Sequence, residues 1–109
     1  MIDRKEAIRK YKERKPSRGI FTLRSPSKCW VDSALELGSI RNRIWSELKH
    51  NAHRNPELQA EWNLHGEAAF EMEVVETLAE DVLEMAVRDE LKRKRKEWAA
   101  KLGAPAITP

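Results

Sequence analysis

An α+β fold, a three-stranded antiparallel sheet flanked by helices, is predicted by three features of the 109-residue sequence. A strand–turn–strand pattern occupies residues 19–32, an alternating apolar segment occupies residues 70–76, and apolar residues at spacings of three and four lie between and after them. Gly19-Ile20-Phe21-Thr22-Leu23-Arg24 reads as a strand, Ser25-Pro26-Ser27 as a turn with proline suited to its second position, and Lys28-Cys29-Trp30-Val31-Asp32 as the returning strand. Leu37, Ile40, Ile44 and Leu48, with Trp45 beside them, predict a helix running to about Lys49. Asn55-Pro56-Glu57 is a helix start, with a capping amide, a proline in the first turn and an acid near the positive helix end. Leu58 and Trp62 give that helix its buried side, and Gly66 ends it. Phe70, Met72 and Val74 alternate along the third strand. The last helix is predicted from Glu80 to Leu102, with Leu83, Val87, Leu91, Trp98 and Leu102 on one arc.

Before this unit, residues 3–15 read as a basic helix with a narrow apolar stripe of Ala7, Ile8 and Tyr11, stopped by Pro16. Three segments follow: an N-terminal basic helix and link over 1–18, the domain over 19–102, and a loose tail over 103–109 after Gly103-Ala104-Pro105. The chain contains no apolar run of the ~20 residues that a bilayer crossing needs, and no apolar leader after Met1, so no membrane association is expected. Its single cysteine, Cys29, cannot form an internal disulfide, which fits a reducing, cytoplasmic setting.

Net charge is only +3, but it is segregated. Residues 4–18 carry eight Lys/Arg against two Glu, and Lys92-Arg93-Lys94-Arg95-Lys96 forms a second basic run. Residues 67–90 carry nine acids against Arg88 alone. A basic face attracts phosphate backbones, whereas the bland alternative is a set of solvated helix surfaces. No Gly-rich phosphate loop, nucleophile elbow or Cys/His metal set is present, and no third ligand accompanies His50 and His53.

The order of elements and several residues within them resemble the GIY-YIG nuclease superfamily over residues 19–102. Gly19-Ile20-Phe21 stands as the first signature strand and Trp30-Val31-Asp32 as the second. His53-x-Asn55-x-x-Leu58-Gln59-x-x-Trp62-Asn63-x-x-Gly66 looks like the loop and second helix of one branch. Phe70 to Glu76 resembles that branch's third strand, and Trp98 and Leu102 match an aromatic and an aliphatic position on its last helix. The resemblance implies a cleft where DNA is cut. It also implies positions for the chemistry, and here those positions are changed. The two motif tyrosines are Phe21 and Trp30, and the glycine closing the second motif is Asp32. The arginine and histidine of the following helix, four residues apart, fall on Ile40 and Ile44, which already belong to the apolar stripe. The metal-holding glutamate of the last helix falls on Arg95 when Trp98 anchors the alignment, and on Asp89, beside Glu90, when counted without gaps from Glu76. Arg41 or Arg43 could replace the lost arginine, and Glu90 could hold a metal. Simpler roles are a helix cap for Asp32 and a bond within its own loop for His53.

The expectation is therefore a relative without nuclease activity (a pseudoenzyme) that needs no cofactor, Mg²⁺ or Mn²⁺ being required only if activity is retained. Its expected partner is nucleic acid, DNA before RNA, bound through Lys92, Arg93, Lys94, Arg95 and Lys96 and through Arg9, Lys10 and Lys12. Trp30 would stack on a base if exposed, or be a buried sheet residue. A protein-interaction module and a surviving metal-dependent endonuclease are the alternatives.

Overall fold

The computed structural model describes residues 17–107. The expected helix over 3–15, and with it Arg9, Lys10 and Lys12, lies outside the described residues. Strands β1 (Gly19–Arg24) and β2 (Cys29–Ala34) form the hairpin, followed by helices α1 (Leu37–Lys49) and α2 (Pro56–His65), a short 3-10 turn at Glu67–Ala69, strand β3 (Glu71–Thr77) and helix α3 (Glu84–Leu102). The sheet is antiparallel with order β2-β1-β3, so β1 is central. The α+β architecture expected from the sequence is the one observed.

Strand parity divides the core between two faces. Phe21, Leu23, Trp30 and Ala34 point to one face, where they meet Ile44, Trp45 and Leu48 of α1 and Leu58 and Trp62 of α2. Trp62 joins this layer edge-on to Trp45, with ring centroids 5.4 Å apart, and tilted against Phe70 at 5.3 Å. Ile20 and Val31 point to the other face and pack on Val87 and Leu91 of α3, with Trp98 partly buried beside them. Covered on both sides, Gly19 to Leu23 are all buried. Trp62 is buried as expected, whereas Trp98 stays half-exposed because its indole N–H turns to Glu76 Oε1 at 2.8 Å. Asn55 caps α2 through Leu58 N at 3.1 Å, as its position implied.

Alternation along β3 is broken by a bulge. Ile20 faces Glu76 but Phe21 faces Val74, so Val75 is an extra residue. The insertion resets the parity. Phe70 and Met72 face the α1/α2 side, while Val75 and Glu76 turn together toward α3. Beside it, Gly19 is fixed by close approach, because a Cβ there would lie 2.0 Å from Glu76 O.

Two boundaries differ from the sequence reading. Helix α3 starts at Glu84, not Glu80, because Leu83 is its extended N-cap, and the side chain of Leu83 is exposed. Leu102, in the helix's final position, is also exposed in part. The segment after Gly103 is docked, not loose, as far as Ile107. Val31 N donates to Pro105 O at 2.9 Å and Ile107 N to Val31 O at 3.1 Å, which pairs Ala106 with the outer edge of β2. Ala104 and Ile107 are buried, one on each side of the sheet. Satisfying an open strand edge and burying two apolar side chains outweighs the ordering entropy that a tail would otherwise keep. Ile107→Ala is expected to lower the unfolding free energy by about 2–4 kcal/mol in urea titration. A loose tail would give no measurable change.

Candidate functional site

The hairpin register sets the floor of the site. Phe21 on β1 stands opposite Asp32 on β2, on the sheet face that carries α1. Ile40 and Ile44, one turn apart on α1, close over them, His53 and Arg54 enter from the α1–α2 loop, and Ile107 comes from the C-terminal segment. Arg95 reaches the same place from α3. Together with Arg43 and Glu47 these residues enclose a cleft of about 290 Å³.

Charge in the cleft is arranged in pairs. Asp32 Oδ1 accepts from Ser33 N at 2.7 Å and from Arg95 Nη1 at 3.4 Å. Glu47 lies 3.6 Å from Arg43 Nε and 3.8 Å from His53 Nε2. The His53 side chain is only 4% exposed. Its Nδ1 accepts a hydrogen bond from Asn55 N at 3.0 Å, so in the neutral ring the proton is on Nε2, on the Glu47 side. Burial pushes the His53 ring below its ordinary value, against the opposing pull of Glu47 and Asp32.

The positions named from sequence separate into those that line the cleft and those that do not. Phe21, Ile40, Ile44 and Arg95 line it. Trp30 does not. It is 1% exposed in the α1/α2 core, so the buried alternative holds and base stacking by Trp30 is excluded. Arg43 is on the cleft rim, whereas Arg41 lies over the Trp45 ring, 5.2 Å from its centroid, beside a separate groove. Asp89 and Glu90 do not line the cleft, and Glu90 is held by Arg93 at 2.7 Å, which keeps its carboxyl below the usual range. Asp32 holds Arg95, and the start of α1, at Glu36, has no side-chain cap. His53 does bond within its own loop.

The basic run on α3 divides by helical angle. Val87, Leu91 and Trp98 mark the sheet-facing arc, and Lys94 falls within it, bound to Glu76. Lys94 and Trp98 hold the Glu76 carboxyl below its ordinary value. On one flank Arg93 bridges Glu90 and Glu97. On the opposite flank, Arg95, Arg88, Lys92 and Lys96 follow one another at about 80°, 100°, 140° and 180° from Val87. Arg88, Lys92 and Lys96 are exposed, and among the described residues none has an ion-pair partner. Sequence reading treated 92–96 as a single run. The i, i+4, i+8 spacing that adds Arg88 and sets Arg93 and Lys94 apart was available in it.

The fold is shared with known nucleases. One match is a point mutant of the catalytic domain of the intron endonuclease I-TevI, with a TM-score of 0.68 and 22% identity, covering 80% of this chain and 84% of that one. Another, the catalytic domain of the homing endonuclease I-TevI, gives 0.66 and 23%, covering 79% and 88%. This is the GIY-YIG nuclease fold. No protein-family model and no curated protein matches the sequence.

A metal ion, which activity in this fold implies, does not fit the side chains present. The Asp32 carboxylate faces a guanidinium, Glu47 faces a second one, and the described residues contain no cluster of three or more His, Cys, Asp or Glu side chains able to hold an ion. No helix among the described residues is long and apolar enough to cross a membrane.

His53 generates a pH prediction. Its folded value is lowered, so the unfolded ring, titrating near 6.5, takes up a proton first as the pH falls. Stability is thus lost from about pH 7 downward until the folded ring also titrates. His53→Asn is expected to flatten the melting temperature between about pH 7 and 5 relative to the unsubstituted chain. Parallel curves would show that burial does not hold this ring neutral.

Proposed function

We propose that this domain is a GIY-YIG nuclease-fold protein that binds nucleic acid, DNA in particular, without cleaving it. The observation that carries the reading is the cationic flank of α3: Arg88, Lys92 and Lys96 continue from Arg95, so an exposed stripe leads into the cleft. Eight residues of helix span about 12 Å, enough to meet two or three backbone phosphates. Arg43 and Arg54 add positive charge on the cleft's other wall. Such contacts position a duplex without reading its bases.

The cleft side chains support a loss of cleavage. Phe21 has no hydroxyl to move a proton, and Ile40 and Ile44 are packing residues. A guanidinium paired with the cleft carboxylate repels a divalent ion instead of holding one. Purified protein is expected to leave supercoiled plasmid, branched DNA and RNA uncut with Mg²⁺ or Mn²⁺, and specific nicking of any of these would overturn this.

For binding, the triple change Arg88→Gln, Lys92→Gln and Lys96→Gln is expected to weaken DNA association and to flatten log K against log salt by about 2.7, near 0.9 for each phosphate contact. Gln is nearly as good a helix former as Lys or Arg, so the fold is retained. Arg93→Gln, on the self-paired flank, should leave affinity unchanged. Equal effects of the two variants would mean nonspecific attraction. Failure of the unsubstituted chain to bind any nucleic acid at low salt would remove the reading in favour of a protein-interaction module.

A further inference from the structure

Where a divalent ion receives a phosphate, a fixed positive charge stands at the cleft floor and carboxylates behind it hold it in place. In this chain a comparable order exists with a side chain as the cation. Asp32 is the inner member, its side chain 8% exposed, and Arg95 the outer one at 22%, with 3.4 Å between Oδ1 and Nη1. Asp32 is itself fixed by Ser33 N at 2.7 Å. The contact to Asp32 uses one guanidinium nitrogen, and the rest of the planar fork, the geometry that suits a phosphate, is not engaged by any other described residue. Arg43, Arg54 and the buried His53, whose Nε2 carries the ring proton, line the same cleft.

We infer that Arg95 takes the place of a metal ion as the cleft's ligand for a backbone phosphodiester of DNA, held by Asp32 as a carboxylate holds a cation, so that phosphate is bound here without a divalent ion. The inference rests on the nucleic-acid reading above and specifies how its central contact is made. A guanidinium cannot ionise a bound water as a metal does, so the exchange keeps phosphate affinity and gives up the means of making a nucleophile.

The test uses the full chain and a short DNA duplex at constant ionic strength. Affinity is expected to be the same in EDTA and in Mg²⁺ or Mn²⁺, and tighter binding with either ion would overturn the inference. Arg95→Gln is expected to weaken binding roughly 10- to 100-fold, as removal of a charge-assisted contact does, and to reduce the salt slope by about 0.9. Because Arg95→Gln leaves Asp32 buried opposite a neutral group, Arg95→Lys provides a variant that keeps the ion pair while losing the fork. Its affinity should fall between the two. Unchanged affinity in Arg95→Lys and Arg95→Gln, with the Arg88, Lys92 and Lys96 stripe still required, would overturn the role of Arg95 and leave the binding function standing. Absence of any DNA binding by the unsubstituted chain would remove both.

Discussion

The arrangement of this domain depends on β1 being buried on both faces. A central strand covered on both sides must place an apolar group up and down in turn, and Ile20, Phe21 and Leu23 do so with Thr22 closed in between. The strand also needs β3 very near at its start, where Gly19 leaves no room for a Cβ beside Glu76 O, 2.0 Å from where that atom would lie. From this strand the hairpin places Asp32 beside Phe21, and the bulge in β3 places Glu76 under α3. The candidate cleft and the seat of α3 are therefore set by the same six residues.

Helix α3 shows why charge counting alone says little about binding. Its cations are of four kinds. Lys94 neutralises Glu76 within the sheet-facing arc, and Arg93 ties two acids on its own helix. Pairs of that exposed kind contribute little to stability and release little counterion on binding. Lys92, Lys96 and Arg88 are exposed without an ion pair among the described residues, and Arg95 is shared between the fold and the cleft. Arg18, at the end of the N-terminal basic run, is likewise structural: it is buried and meets Glu84 at 2.9 Å.

Much of the fold was legible because it is written locally. The Asn55 cap, the Pro56 start, the Ser25-Pro26-Ser27 turn and the stripe of Ile40, Ile44 and Leu48 each act over a few residues. What was missed is nonlocal. The docking of residues 104–107 depends on β2 having an open edge, which follows from the strand order and not from the segment itself. The bulge at Val75 is visible only against the β1 register. For the cleft, Phe21, Ile40, Ile44 and Arg95 were named singly, but the contact between Asp32 and Arg95 joins residues 63 apart and needs α3 placed on the sheet. His53 was correctly connected to its loop, yet its place on the cleft wall comes from the α1–α2 geometry.

The charged side chains of this cleft are mutually consistent. Ile40 and Ile44 make part of the α1 wall apolar, beside Arg43 and Glu47 of the same helix. A buried carboxylate is costly unless it is paired and hydrogen-bonded, and Asp32 is both. Arg95, in turn, has its counter-ion in Asp32. Together they neutralise each other at 3.4 Å, satisfy the buried oxygen and present the guanidinium outward. The cation beside the Asp32 carboxylate is thus supplied by the chain itself. The cleft's positive charge comes from the chain itself, with Arg95 and the α3 stripe on one side and Arg43 and Arg54 on the other.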